Sequence, residues 1–356
     1  MGAKKVLILG AGGSASTNYV RSLRLAPEKF YLIGTDSNKF YLQRAETDEK
    51  YLVLKADNKK YISLLNEIIQ KTGAEFIHAQ NDAEVFAISK NRDELNCKTF
   101  LPNHNTVTIC QNKYLSHYYW NKEGFKKPKT FLIFTEEELV EAYKEIHGEM
   151  WVRDIQGAGG KGSLKTGEFE VARSWIEYKQ GWGTYTVAEY LSEKSTTFTS
   201  IWKDGVLIAG QGRKRLYWEL GPAFISGVSG ATGGGMIDND PIVVDTAIKA
   251  ILAIDICPNG IFSVDMTYGQ DDLLYPTEIN IGRFFTTHFF FAKAGFNMAY
   301  IYTTLGFGEN VVTQRINPLD DNLVWIRGMD FEPVLTTIEK INAYSLDLPD
   351  NYPKKD

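Results

Sequence analysis

The sequence predicts an α/β region followed by an α+β region, and three observations carry that reading. Over roughly the first 100 residues, strand-like apolar runs alternate with helical periodicity, the pattern of a parallel sheet. From Thr130 onward the pattern changes to β runs paired across short turns, such as Thr196–Trp202 and Val206–Gln211 around a Lys-Asp-Gly turn. Each region also has its own glycine-rich turn after a strand, Gly10–Gly13 in the first and Gly157–Gly162 in the second.

In chain order, Lys4–Leu9 reads as a buried strand, with Ser14 or Ser16 capping a helix that runs to about Leu25. Strands follow at Tyr31–Thr35 and Tyr51–Leu54, then a helix from Lys60 to Lys71 with Ile62, Leu65, Ile68 and Ile69 at helical spacing and Gly73 as its stop. Glu75–Ala79 is the next strand and Asp82–Lys90 the next helix. A single helix, Thr106–Asn121, is expected to carry Lys113 near its middle, before the breaker at Lys127 and Pro128. The second region reads as strand Thr130–Phe134, helix Glu136–Ile146, strand Met150–Arg153, helix Val171–Tyr178 and strand Thr184–Leu191. Residues 221–235, rich in glycine and serine, read as a mobile loop over a site. Helices are expected at Pro241–Ile254, Phe289–Leu305 and Glu332–Ala343, the last followed by a polar tail. No internal repeat or low-complexity segment is evident.

A chain of 356 residues is long enough for two or three packed domains. Its 44% hydrophobic and 23% charged content is that of a globular protein with large cores. With 39 basic and 44 acidic residues the net charge is −5, and Arg213-Lys-Arg215 is the only basic cluster, which argues against nucleic acid as a partner. Three scattered cysteines without a C-x-x-C pair argue against a disulfide framework or a zinc site. Each cysteine is expected to be a small buried hydrophobe. The apolar run in the first residues is too short for a signal peptide, and no run approaches a membrane span, so a cytoplasmic protein without a membrane partner is expected.

The stretch with the most chemistry is Ile261–Phe285. Strands Ile261–Tyr268 and Leu273–Asn280 are joined by Gly-Gln-Asp-Asp; a four-residue loop pairs Met266 with Tyr275 and sets Asp265 opposite Pro276. Glu278 is then the diagonal neighbour of Asp265 and Asn280 follows on the same face. Two carboxylates and a carboxamide on one patch suit a hard divalent cation that also takes phosphate oxygens. Arg283, just beyond, can hold an anion there.

Elsewhere, Gly10, Gly12 and Ala15 satisfy G-x-G-x-x-A, and Asp36 ends the second strand at the distance expected of a nicotinamide-dinucleotide fingerprint. That makes an NAD(P)-dependent oxidoreductase one reading, although the same sterics suit any tight β-α turn. Gly157, Gly159, Gly160 and Gly162 can close backbone N–H groups around phosphate oxygens, without the spacing of a Walker loop. Arg153 and Lys113 are positioned in sequence to neutralise phosphates, and Glu189, Tyr190 and Leu191 offer a carboxylate, backbone groups and an apolar wall for a purine.

The order of these features resembles the ATP-grasp superfamily, and within it the carbamoyl-phosphate-synthetase-like branch, over roughly residues 1–310. Asn112-Lys113 is similar to the family's first nucleotide cation, Trp151-Val-Arg153 through Gly162 to its strand and lid, Glu189-Tyr190-Leu191 to its hinge, and Glu278-Ile-Asn280 to its E-x-N metal motif. The resemblance implies a Rossmann-like pre-ATP-grasp domain over 1–110, a small lobe with the lid over 111–190, a large lobe with the metal site over 191–325, and a C-terminal helix and tail over 326–356. It implies ATP and Mg²⁺ (or Mn²⁺) as cofactors, with Asp265, Glu278 and Asn280 as metal ligands, and ADP-forming activation of a carboxylate for attack by an amine. Arg283 and one of Arg213 or Arg215 are the implied stabilisers of the transferring phosphoryl group, and a homodimer is the common assembly of such proteins. The family's arginine lies two residues after the asparagine; here Ile281-Gly-Arg283 places it three after. Asn81, Asp82 and Glu84 in the turn after Ala79, with Thr286, Thr287 and His288, are candidate contacts to the carboxylate or amine substrate; a packed, hydrogen-bonded role for His288 is an equal alternative. A non-catalytic ATP-binding protein is the remaining alternative.

Overall fold

The computed structural model describes residues 2–125, 128–157, 160, 162–311, 314–328, 334–337 and 339. Its first sheet is parallel, in the order β3-β2-β1-β4-β5, built from β1 (Lys4–Ile8), β2 (Phe30–Asp36), β3 (Glu49–Leu52), β4 (Phe76–His78) and β5 (Lys98–Thr99). Val6, Leu7 and Ile8 are fully buried because both faces of this central strand are covered. Helices α1 (Ser14–Arg24), α2 (Lys39–Gln43), α3 (Tyr61–Thr72) and α4 (Asp82–Lys90) connect the strands. Gly73, at φ 69°, ends α3 as expected. Neither serine caps α1: Gly13 holds the cap position, and the Ser16 hydroxyl donates instead to the carbonyls of Leu9 and Gly10.

The helix expected over Thr106–Asn121 is two, α5 (His104–Gln111) and α6 (Lys113–Lys122). Asn112 breaks it with extended backbone and caps α6, its side chain accepting from the Leu115 N–H at 3.1 Å. Lys113 therefore opens a helix rather than sitting mid-helix.

A second, antiparallel sheet has the order β6-β9-β7-β8: β6 (Thr130–Ile133), β9 (Tyr185–Glu189), β7 (Met150–Asp154) and β8 (Leu164–Thr166). Helices α7 (Glu136–Glu145) and α8 (Phe169–Tyr178) enclose its apolar face around Val152, Val187 and Ile176. The Thr135 hydroxyl caps α7 through the Glu138 N–H while the Glu138 carboxylate accepts from the Phe134 N–H, one residue short of a regular capping box.

The third sheet runs β14-β13-β10-β11-β12-β16-β17. Its members are β10 (Ser195–Lys203), β11 (Val206–Trp218), β12 (Thr232–Ile237), β13 (Gly260–Tyr268), β14 (Leu274–Ile281), β16 (Leu323–Ile326) and β17 (Val334–Thr337), with β15 (Arg315–Ile316) parallel to β11. Helix α9 (Pro241–Leu252) packs on it. Part of the stretch read as a loop over 221–235 is thus strand: Gly233 and Gly234 lie in β12 because the Tyr217 ring leaves no room for a side chain, a Cβ at Gly233 standing 2.1 Å from it. The helix expected over Glu332–Ala343 is likewise not formed at Val334–Thr337, whose backbone pairs with β16; apart from Glu339, the rest of that stretch lies outside the described residues. The helix expected over Phe289–Leu305 is interrupted at Gly295, φ 95°, giving α10 (Phe289–Lys293) and α11 (Met298–Gly306). These two close one face of the first sheet, where Val6, Ile8 and Phe76 share a core with Phe284, Phe290 and Tyr302.

Cys110 is buried as expected, Cys97 is half-buried, and Cys257 is exposed, so the expectation fails for the last. Among the described residues no helix is long and apolar enough to cross a membrane.

Candidate active site

The β13–β14 hairpin does not have the expected register. Its loop is five residues, Gly269 to Leu273, so Thr267 rather than Met266 faces Tyr275. Continued regularly, that slip would turn Glu278 to the opposite face from Asp265. A bulge at Thr277 turns it back and sets Asp265 directly opposite Glu278, closer than the expected diagonal. The bulge residue is anchored: the Thr277 hydroxyl donates to the Asp265 carbonyl at 3.0 Å, and its own carbonyl accepts from Arg153 Nη2 at 3.0 Å.

The pairing continues across the sheet. Glu278 on β14, Asp265 on β13, Thr197 on β10 and Arg213 on β11 stand in one cross-strand row. Thr197 donates to Asp265 Oδ1 at 2.5 Å and accepts from Arg213 Nη2 at 3.1 Å. The Asn280 amide donates to Asp265 Oδ2 at 2.9 Å. Burial, then the facing Glu278 charge, raises the Asp265 pKa. Burial also opposes ionisation of Glu278, but the charges of Lys113, Arg153 and Arg283 outweigh it and hold that carboxyl below its ordinary value. Lys113 Nζ and Arg153 Nη1 stand 3.7 and 3.8 Å from Glu278. Lys113 Nζ also donates to the Gly157 carbonyl at 2.8 Å, tying the helix start to the base of the glycine loop.

Directly opposed carboxylates repel across a strand pair. A hard divalent cation relieves that repulsion, and oxygen donors from two carboxylates and a carboxamide fit one. Among the described residues there is no cluster of three or more His, Cys, Asp or Glu suited to a metal, so Asn280 is the third donor available.

Two cavities meet at this row. The smaller, about 1030 Å³, is lined by Arg153, Gly157, Gly160, Gly162, Glu189, Tyr190 and Leu191, with Trp151 and Pro128 as apolar walls. Gly159 lies outside the described residues. The larger, about 1830 Å³, runs from Arg213 and Arg215 to Asn81, Glu84 and the turn after β1. Lys113, Gly157, Arg215, Gly230, Asp265 and Glu278 face both.

Arg213 is 2% exposed, and burial followed by the neighbouring Arg215 charge lowers its pKa to about 9. Its Nε has no hydrogen-bond partner, and its guanidinium lies 4.8 Å from the Phe285 ring centroid. Arg215 stacks on Trp218 at 3.6 Å and donates to Ser195 and Thr232. Arg283 is brought to the site but turned away from an anion-holding role: Asp82 takes its Nε at 2.5 Å, and Asn280 Oδ1 takes Nη2 at 2.7 Å.

Thr287 and His288 correct the expectation of substrate contact. Both are buried at 1% and 3% exposure, and neither lines the larger cavity, whose wall is formed by Phe285 and Thr286 instead. The His288 ring stacks on Phe284 at 4.6 Å, its Nδ1–H donates to the Phe285 carbonyl, and burial lowers its pKa to about 4. It is a packing residue. Asn81 and Glu84 do reach the cavity, but Asn81 also caps α4 and donates to Glu84 at 2.6 Å.

The turn of the nicotinamide fingerprint lines the larger cavity, but its second glycine is packed against α2. A Cβ on Gly12 would stand 1.9 Å from the Tyr41 carbonyl oxygen, so this glycine accommodates α2 rather than a pyrophosphate. The Asp36 carboxylate accepts from the Gly12 and Asn38 N–H groups at 3.2 and 2.8 Å.

Burial, then the charge of Asp36, raises the Glu84 pKa to about 8 from its ordinary 4.5. Between those values the folded chain binds a proton that the unfolded chain has released, so stability falls as pH rises, by at most ~1.4 kcal/mol per pH unit. Glu84→Gln retains an acceptor for Tyr61 and is expected to flatten urea-denaturation midpoints between pH 5 and 8. An unchanged slope would mean that Glu84 ionises normally.

Residues that sequence reasoning missed are Thr197 and Trp218, whereas Asp82 and Thr232, in a turn and a loop expected beside a site, do line the larger cavity. The alternation of Thr197 with Ser195 and of Arg213 with Arg215 was a signal that each pair shares a face; nothing local indicated which faces would meet.

No protein-family model matches the chain. A stretch of 77 residues, 22% of the chain, is 26% identical to the alpha-aminoadipate–LysW ligase LysX of Saccharolobus solfataricus, and it covers 28% of that protein's length. Solved structures resemble far more of it. The biotin carboxylase domain of the Hydrogenobacter thermophilus 2-oxoglutarate carboxylase, solved with MgADP and bicarbonate, superposes with a TM-score of 0.69 over 92% of this chain and 75% of its own, at 15% identity. N5-carboxyaminoimidazole synthetase from Staphylococcus aureus, solved with ADP, gives 0.70 over 91% and 82% at 12% identity. The L-amino acid ligase of Bacillus licheniformis gives 0.66 over 90% and 78% at 10% identity. The parallel first sheet, the small antiparallel sheet with its glycine loop and the large antiparallel sheet together give this chain the ATP-grasp fold, preceded by a Rossmann-like domain.

Proposed function

We propose that the chain is an ADP-forming ligase that uses ATP to activate a substrate carboxylate as an acyl phosphate, which an amine then attacks. The observation that carries this reading is the meeting of two cavities at one row of acids and cations. ATP would occupy the smaller cavity, with the purine between Trp151 and the Glu189–Leu191 segment and the phosphates directed toward Lys113, Arg153 and the glycine loop. Mg²⁺ held by Asp265, Glu278 and Asn280 would neutralise β- and γ-phosphate oxygens. The acceptor carboxylate would lie in the larger cavity against Arg215 and the buried Arg213, whose guanidiniums would offset the charge of the transferring phosphoryl group and of the acyl phosphate. Gly157, Gly160 and Gly162 and the loop after β11 line the smaller cavity and would limit the access of water, which otherwise hydrolyses such an intermediate. No protein nucleophile enters this scheme. The solved relatives carrying ADP support the nucleotide, and the ligase names among them support the class of reaction. The carbamoyl-phosphate-synthetase-like branch, the homodimer and the domain limits set out above belong to the same proposal.

The test is release of ADP and phosphate from Mg-ATP in the presence of pooled amino acids and small carboxylates. Release that requires one acid, one amine and Mg²⁺ is the expected result. AMP in place of ADP would replace the acyl-phosphate route with adenylation. NADH binding without ATP binding would restore the oxidoreductase reading.

A further inference from the structure

The extra residue before Arg283 has a structural consequence. Gly282 takes a left-handed conformation, φ 70°, and a Cβ there would stand 2.7 Å from Val85 on α4. The chain leaves β14 pressed against α4, and Arg283 therefore faces Asp82 at the start of that helix. The guanidinium and carboxylate meet at two points, Nε to Oδ1 at 2.5 Å and Nη2 to Oδ2 at 3.2 Å.

Asp82 is itself fixed: it opens α4 behind the Asn81 cap, and its carbonyl accepts from Gln111 at 2.8 Å. Burial disfavours its charge, but Arg283 and Lys113 more than reverse that and keep it ionised. From Arg283 the chain of contacts continues through Asn280 to Asp265 Oδ2, while Thr197 holds Oδ1. Both oxygens of one candidate metal ligand are thus oriented, one through a carboxylate belonging to the first sheet's domain. Asn280 Oδ1 keeps a second lone pair for a cation.

We propose that Asp82 is a positioning residue for the metal site: by holding Arg283 it sets the Asn280 amide and the plane of the Asp265 carboxylate. The proposal rests on the ligase reading given above. It also explains why a shifted arginine is compatible with an intact site, because Arg283 orients ligands and leaves the phosphoryl group to Arg213 and Arg215. An ion pair that only fastened α4 to β14 would affect stability and leave metal affinity alone.

The experiment is a Mn²⁺ titration of the full chain with bound ADP, read by the electron-paramagnetic-resonance signal of free Mn²⁺. Asp82→Asn is expected to weaken Mn²⁺ binding ~10-fold or more, the range for residues that orient metal ligands, with metal-free ADP affinity unchanged. Asp82→Glu is expected to recover part of the loss. Arg283→Lys, which keeps the charge but loses the fork, provides the same reading should Asp82→Asn fail to fold. Wild-type Mn²⁺ affinity in folded Asp82→Asn or Arg283→Lys, with only a lowered urea midpoint, would reduce the pair to a fastening and overturn the proposal. Absence of Mn²⁺ binding in the unaltered chain would instead overturn the metal-dependent ligase reading, and this proposal with it.

Discussion

Glu278→Gln is expected to lower ADP formation by at least ~10²-fold, the scale set by removing one preorganised electrostatic group from an active site. Two effects act in the same direction. The candidate cation loses one of its two charged ligands, and the facing Asp265 is left as the one charged donor beside Asn280. Lys113 and Arg153 lose the carboxylate 3.7 and 3.8 Å away that balances them beside the nucleotide cavity. The facing charge that adds to burial in raising the Asp265 pKa also disappears, which offsets only part of these losses because burial remains. Steady-state turnover at saturating Mg²⁺ measures this, and near-wild-type turnover would remove Glu278 from the site.

Arg213→Met is expected to move activity and stability in opposite directions. The guanidinium is 2% exposed and, among the described residues, forms no ion pair within 4 Å; only hydroxyls accept from it. Its pKa is lowered to about 9, so the folded chain binds fewer protons than the unfolded chain between that value and the higher, ordinary one. Stability from this group therefore rises with pH across that window, and at neutral pH the whole cost of burying the charge is present. Methionine fills a similar volume and keeps a contact with Phe285 without that cost, so the urea midpoint should correspond to a gain of ~1 kcal/mol or more. Ligation should fall ~10²–10³-fold because the buried donor for the acyl phosphate is gone. A variant both less stable and fully active would mean that Arg213 serves the fold alone.

Much of this arrangement is readable locally. Periodicity and a glycine stop mark β1 to β4 with α1, α3 and α4, whereas α2 and β5, of five and two residues, are too short to carry a period. The acid pair is readable too, but for the wrong register: no local signal separates a four-residue from a five-residue loop, and the bulge at Thr277 that restores the shared face is anchored by Arg153 from a different sheet. The break at Asn112 was visible as an Asn before a helix-forming run, yet it was outweighed by continuous periodicity on both sides. Thr197 and Arg213 join the row only through the pairing of β10 with both β11 and β13, a long-range register that composition does not encode. The burial of His288 is set by Phe284 and Tyr19, whose packing joins parts of the chain hundreds of residues apart.

The cover that α10 and α11 place on the first sheet has a bearing on biosynthesis. Phe76 on β4 touches the rings of Tyr302 and Phe307, a Cβ at Gly306 would stand 2.3 Å from its ring, and the Tyr19 hydroxyl bonds to Thr303 at 2.5 Å. At ~5–20 residues per second, a ribosome needs roughly 10–50 s to pass from Phe76 to Phe307. For that interval the nascent amino-terminal sheet carries a naked aromatic and aliphatic face that only a later part of the same polypeptide can cover. The region translated first is therefore among the last to be completed.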